Sequence, residues 1–280
     1  MNNKGSLPTA IPFNQMIYRI FSPVTILADV VEHYWYAKAE MTGAAIQHYA
    51  TPLLQGLTFN FKKQQEQHAY GGEILQLDKQ VYLFGQPVGY REGTTNEKGI
   101  DIIGVKFKPL GISKITGINM EYIANRIIAA EDIWGNELEL LCDEMQSAPS
   151  LEKTLSVLEK FLIDKYTCTS LHYRVDNVQN AVSLITNSKG SMSIKDLQNQ
   201  TNTSRKTLER AFLSYLGIAP KLYSRIVRFN AVKEMIDRNE TKNLTSLALD
   251  FGFYDNSHFA AEFKYFSGFK PTAYRTLNDK

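Results

Sequence analysis

Arg205, Lys206, Glu209 and Arg210 crowd the six positions behind Ser204, and fifty-one residues after Ser204 the trio Asn256, Ser257 and His258 follows Asp255. Ser and Asp are residues that cap helix N-termini, so both groups open a helix. On the outer face of a helix, Arg and Lys donate to guanine and Glu accepts from the cytosine amino group, while the helix N-terminus itself favours phosphate. The plainer alternative is a solvated, charged helix face, which is common on protein surfaces.

What lifts these residues above that alternative is the element around them, which occurs twice. At the offset of 51, Leu208 corresponds to Phe259, Phe212 to Phe263, Tyr215 to Phe266, Gly217 to Gly268, Pro220 to Pro271 and Tyr223 to Tyr274. Apolar residues at i, i+4 and i+7 give each copy one buried helical face. A glycine then ends the helix and a proline opens the next one.

A shorter helix precedes each copy. Ser193-Ile194-Lys195-Asp196 resembles a capping box and leads to the turn Thr201-Asn202-Thr203. In the second copy Thr245 is expected to cap a helix carrying Leu244, Leu247, Ala248 and Phe251, with Gly252 in the turn. Two helices joined by a tight turn, the second polar on its outside, form a helix-turn-helix unit. Between the units, Pro220 to Asp237 reads as one helix with Ile226, Phe229, Val232 and Ile236 on its apolar side. At about 1.5 Å per residue it spans roughly 27 Å, close to the roughly 34 Å between successive major-groove faces.

The C-terminal 105 residues resemble the AraC/XylS family of bacterial transcription regulators. The likeness rests on Gly252-Phe253-Tyr254-Asp255-Asn256-Ser257-His258-Phe259, Phe263-Lys264, Gly268, Pro271 and Tyr274-Arg275. It extends to Ser204 through Phe212, Gly217, Pro220, Arg228 and Ala231. The resemblance implies that the helices beginning at Ser204 and Asp255 enter adjacent major-groove segments of double-stranded promoter DNA, with RNA polymerase as a further partner. By position it assigns DNA contacts to Lys206, Glu209 and Arg210 in the first unit and to Asn256, Ser257 and His258 in the second. Ala261 stands where many relatives carry a basic or polar residue.

The front of the chain has a different period. Leu57, Phe59 and Phe61 alternate, as do Ile103, Val105 and Phe107, and Val81-Tyr82-Leu83-Phe84 reads as a buried strand. Strands are therefore expected over about 13–110, and helices over about 119–166. Leu151, Leu155, Leu158 and Leu162 recur at helical spacing, either as a homodimer interface or as cover for the domain's own sheet. The resemblance implies a cupin-like sensory barrel followed by helices. His33, Tyr34, Trp35 and Tyr36 are candidates to line a small-molecule effector pocket, with ordinary core packing as the alternative. The effector could equally be a protein.

The expected fold class is α+β: a β-rich domain over 1–166, a linker over 167–175, and an all-α domain of two helix-turn-helix units over 176–280. Charge divides the same way. The whole chain has 31 Lys+Arg against 29 Asp+Glu, a formal charge of +2. Residues 171–280 hold 16 and 10, whereas the first 170 hold 15 and 19, so the basic surplus that phosphate binding needs lies in the C-terminal part.

Other chemistry finds little footing. His33, His48 and His68 include no His-x-His pair, so neither a metal nor any other cofactor is expected. Cys142 and Cys168 cannot build a disulfide framework, and neither sits in a Cys-x-x-Cys. No signal-peptide pattern opens the chain and no apolar run approaches the roughly 18 residues of a spanning helix, which points to the cytoplasm and away from membranes. The reading is a non-enzymatic, sequence-specific DNA-binding regulator. Its rivals are a cupin-type metal enzyme fused to a DNA-binding module, and a helical adaptor that binds protein.

Overall fold

Period-two apolarity in the front half becomes ten strands among the described residues of this computed structural model, which are 13–41, 45–62, 66–70, 73–95, 99–169, 176–240 and 243–278. The strands are β1 (Phe13–Phe21), β2 (Val31–Met41), β3 (Ala45–Tyr49), β4 (Gln55–Asn60), β5 (Glu66–Tyr70), β6 (Glu73–Leu77), β7 (Val81–Phe84), β8 (Arg91–Thr95), β9 (Ile100–Phe107) and β10 (Ile127–Ala129). All pair antiparallel, in a six-stranded sheet of order β1-β2-β9-β4-β7-β10 and a four-stranded sheet of order β3-β8-β5-β6.

Alternation places Tyr34, Leu57, Phe59, Leu83, Ile103, Val105 and Phe107 in one core. The helices α1 (Gly111–Thr116), α2 (Glu131–Trp134), α3 (Asn136–Ser147) and α4 (Leu151–Cys168) contribute to the same core. There Leu155, Leu158 and Leu162 are buried within their own chain, and Leu151 packs half-buried beside them. A dimer interface through this row is thereby corrected. An apolar sheet face must be covered, at roughly 1.5–3 kcal/mol for each large side chain, and α4 has one apolar stripe to spend on it.

The helical expectation over 119–148 is also corrected in part. A single 3-10 turn, Met120–Tyr122, is followed by β10, whose Ile127 lies opposite Phe84 of β7. Asn125, at φ 63°, turns the chain there, and the β-branched pair Ile127-Ile128 suits a sheet edge.

The back half is helical: α5 (Asp176–Asn187), α6 (Ile194–Thr201), α7 (Arg205–Leu216), α8 (Pro220–Asp237), α9 (Leu244–Asp250), α10 (Asn256–Ser267) and α11 (Pro271–Asn278). The expected linker over 167–175 is shorter at its start, because α4 continues to Cys168; residues 170–175 lie outside the described ones. Both units share one core, with α8 between them. Phe212 of α7 meets Tyr223 edge-on at 5.8 Å, and Phe229 meets Phe263 of α10 at 5.2 Å. Leu110, Leu53, Val88 and Ala124 from the front domain pack into that same core.

Candidate nucleic-acid interface

Buried residues set the angle of the second helix in each unit, and the caps set where it begins. In the first unit Leu197 of α6 and Leu208, Phe212 and Leu216 of α7 are buried. Asn202 takes the left-handed conformation at φ 46°, which Asn tolerates, and so turns the chain between the two helices. Ser204 then caps α7, its hydroxyl accepting from the Thr207 amide at 3.2 Å. Arg205, Lys206 and Arg210 are exposed on what remains of the surface. Lys206 and Arg210 stand one turn apart on a common face. Arg205 donates to Glu209 at 2.9 Å, an exposed i,i+4 pair worth only about 0.3–0.5 kcal/mol and readily exchanged for a phosphate.

The second unit repeats the scaffold with different chemistry. Leu247 and Ala248 of α9 and Phe259, Phe263 and Phe266 of α10 are buried, and Gly252 turns the chain at φ +71°. Asn243, not Thr245, caps α9: its Oδ1 accepts from the Thr245 and Ser246 amides. Asp255 Oδ1 accepts from the His258 amide at 2.7 Å and caps α10. Asn256 donates its side-chain amide to Thr245 Oγ1 at 3.3 Å, while Ser257 and Ala261 are exposed one turn apart.

His258 is placed differently from its neighbours. Its Nε2 lies 3.4 Å from Glu262, its Nδ1 accepts from the Tyr254 amide at 3.5 Å, and its ring stands edge-on to Phe253. Both nitrogens thus have a protein neighbour, while the side chain stays 45% exposed. Glu262 is itself buried and takes Arg225 at 3.2 Å and Arg228 at 3.3 Å from α8. Arg228 also covers the Phe253 ring at 4.6 Å. This carboxylate hub, which fixes α10 against α8, had no signal in the sequence beyond the charges themselves. Neither did Tyr254, which is 89% exposed immediately before the cap.

The front-domain candidates divide between two faces. Tyr34 and Tyr36 point to the helix-covered core, where burial pushes both hydroxyl pKa values up. Trp35 lies on the opposite face, flat against Gly104, where any Cβ would meet the indole at 2.0 Å, and Tyr18 stacks on it at 6.3 Å. Its neighbour His33, beside the Lys106–Glu32 pair, has its pKa lowered by burial first and by Lys106 second, against a smaller opposing effect of Glu32. Successive residues of a strand face opposite ways, so the four cannot line one pocket together. The side chains of His48 and His68 lie outside the described residues. Among the described ones, no three His, Cys, Asp or Glu groups gather as a metal would require, and no helix is long and apolar enough to cross a membrane.

Two family descriptions match the chain: "Helix-turn-helix domain" over residues 197–276, and "Domain of unknown function (DUF6597)" over residues 19–129. Among solved structures, ToxT from Vibrio cholerae O395 bound to (E)-4-(8-methylnaphthalen-1-yl)but-3-enoic acid is similar at 12% identity and a TM-score of 0.50, over 95% of this chain and 100% of that one. Apo ToxT K231A from Vibrio cholerae strain SCE256 matches at 12% identity and 0.47, over 97% and 99%. The AraC-like transcriptional activator CuxR matches at 12% and 0.29, over 77% and 86%.

Proposed function

We propose, from the premise that residues 197–276 are an AraC-type helix-turn-helix domain and the chain a DNA-binding transcription regulator, that α7 and α10 read promoter DNA and that the front domain makes this reading answer to an effector. The observation that carries the reading is duplication on a single core. Two capped helices present their N-terminal faces to solvent, and the 18-residue α8 between them spans roughly 27 Å, near one turn of B-DNA. Arg205, Lys206 and Arg210 supply the cations that phosphates and guanines attract. An adaptor that binds protein has no need of that basic face.

Coupling to the front domain has a physical route. Gly217 and Gly268, which correspond in the repeat, end α7 and α10 at φ +76° and +82°. A Cβ on Gly217 would lie 2.4 Å from the Met120 carbonyl, and one on Gly268 would lie 2.7 Å from the Tyr90 ring. The front domain thus presses on the C-terminal end of both reading helices. Thr51 and Asn230 add hydrogen bonds across the same boundary. An effector that binds one arrangement of this boundary more tightly shifts the placement of both helices, and it can do so only through that difference in affinity. The acid bound by ToxT is a first effector to try. In a bacterial cytoplasm the protein would meet RNA polymerase at such promoters, and any pairing of two chains would use a face other than the buried leucine row.

The deciding experiment is selection of genomic duplexes by the full chain at two salt concentrations. Enrichment of a defined sequence, weakening as salt rises, is the expected result. Failure to prefer any duplex removes the reading.

A further inference from the structure

The two reading helices sit on equivalent scaffolds but present unlike surfaces, position for position. Where α7 carries the i,i+4 pair Lys206 and Arg210, α10 carries Ser257 and Ala261; where α7 carries Arg205 and Glu209, α10 carries Asn256 and Ala260. His258 is 45% exposed on α10, with its Nε2 3.4 Å from Glu262 and its Nδ1 at the Tyr254 amide, so a base would compete with those partners for its ring. From Tyr254 to Phe263 there is no Lys or Arg, and Lys264 lies eight residues beyond Asn256, about 12 Å along the axis.

What α10 does offer is specific. The Asn256 amide donates one hydrogen to Thr245 Oγ1, which fixes the plane of the group and leaves Oδ1 and the second N–H free. That remaining pair matches the N6 donor and N7 acceptor of adenine. Ala261 is bare and exposed one turn on, and Tyr254 projects beside the helix start, so both present apolar surface of the kind that meets a thymine methyl. On α7, Arg210 has no hydrogen-bond or ion-pair partner among the described residues, and it shares its face with Lys206. Those two side chains match guanine O6 and N7.

We propose that the two helices prefer different bases: α7 reads a half-site bearing guanine through Lys206 and Arg210, and α10 reads an A·T half-site through Asn256, Ala261 and Tyr254. The inference rests on the reading of this protein as a DNA-binding regulator. It adds which base composition each helix takes, guanine under α7 and A·T pairs under α10.

The test is selection from a random duplex pool with the full chain, repeated with Arg210→Ala, Ala261→Arg and Asn256→Ala, all at exposed positions. The expected motif has two parts centred about one helical turn apart, one with guanine and one with A·T pairs. Arg210→Ala lowers preference for guanine about ten- to a hundredfold in the first part only. Asn256→Ala relaxes adenine in the second part only, and Ala261→Arg introduces guanine there. A motif with guanine in both halves overturns the proposal, as does an A·T half that ignores both α10 substitutions. A chain that selects no motif overturns instead the regulator reading on which the proposal stands.

Discussion

The backbone amide of Thr51 donates to the carbonyl of Phe266 at 2.8 Å, across 215 residues of sequence. The Thr51 hydroxyl donates to the same oxygen at 3.1 Å, and the Thr51 carbonyl accepts from Asn230 of α8. One residue of the front domain is thus bonded to the last turn of α10 and to the helix that joins the two units.

Removing the Asn230 amide should loosen that boundary. Asn230→Ala deletes the bond to Thr51 and a second bond to the Ile226 carbonyl of its own helix. A loss of about 1–2 kcal/mol is expected in urea denaturation, with the two domains beginning to unfold at separate midpoints. A single unshifted transition would show that the bond contributes nothing to holding the domains together.

Glycines of equal backbone conformation should differ in cost. Gly217 and Gly252 both have φ +71° to +76°, but a Cβ at Gly252 meets nothing within 4 Å, whereas one at Gly217 meets Met120 and Ala124. Gly252→Ala should cost about 1–2 kcal/mol from the left-handed conformation alone. Gly217→Ala should cost clearly more and should raise proteolysis between the domains. Equal costs in paired denaturation curves would mean that the front domain does not press on α7 in solution.

On the DNA, Arg210→Ala and Lys206→Ala should each weaken binding by about 1–3 kcal/mol where they meet a base. Where one meets a phosphate instead, affinity falls alike for all sequences and the slope of log K against log salt shrinks by about 1. Titrations of specific and scrambled duplexes at several salt concentrations separate the two cases.

The buried hub should matter more than the exposed pair it resembles. Glu262→Ala leaves Arg225 and Arg228 without their shared carboxylate and is expected to destabilise the chain by about 3 kcal/mol. Glu209→Ala, which frees only the exposed Arg205, should cost under about 0.5 kcal/mol. Similar midpoints for the two variants would contradict the burial of Glu262.

Acid should act partly through His33. Its folded-state pKa is lowered by burial and by Lys106. The unfolded chain therefore binds the proton more readily, and the contribution is fully present above the ordinary histidine pKa of about 6.5 and is lost as pH falls through the folded value. His33→Asn should flatten the decline in stability below about pH 6.5, as followed by thermal melts across that range. An unchanged slope would place the acid sensitivity elsewhere.

Much of the helical back half was legible in one dimension because its determinants are local. Caps at Ser204 and Asp255, glycines at Gly217 and Gly268, and the continuous helix from Pro220 to Asp237 all depend on residues within a turn or two of each other. The 51-residue offset repeats those local rules, so two units and the side chains on their outer faces followed from the sequence alone. What α4 covers was decided elsewhere. Helical spacing of Leu155, Leu158 and Leu162 states that one stripe is buried but not against what, and only the folded core, where α1, α3 and residues of the six-stranded sheet gather around it, supplies the answer. In the same way, β10 exists because β7 offers it an edge, and Tyr34 parts from Trp35 because a strand sends neighbours to opposite faces. His258 was legible as an exposed residue near the start of α10; that it lies beside a buried carboxylate depends on Glu262, Arg225 and Arg228 meeting across two helices. Helix formation and capping are settled by neighbours in sequence, whereas the partner of an apolar stripe or a charged group is settled by whatever the folded chain brings within a few ångströms.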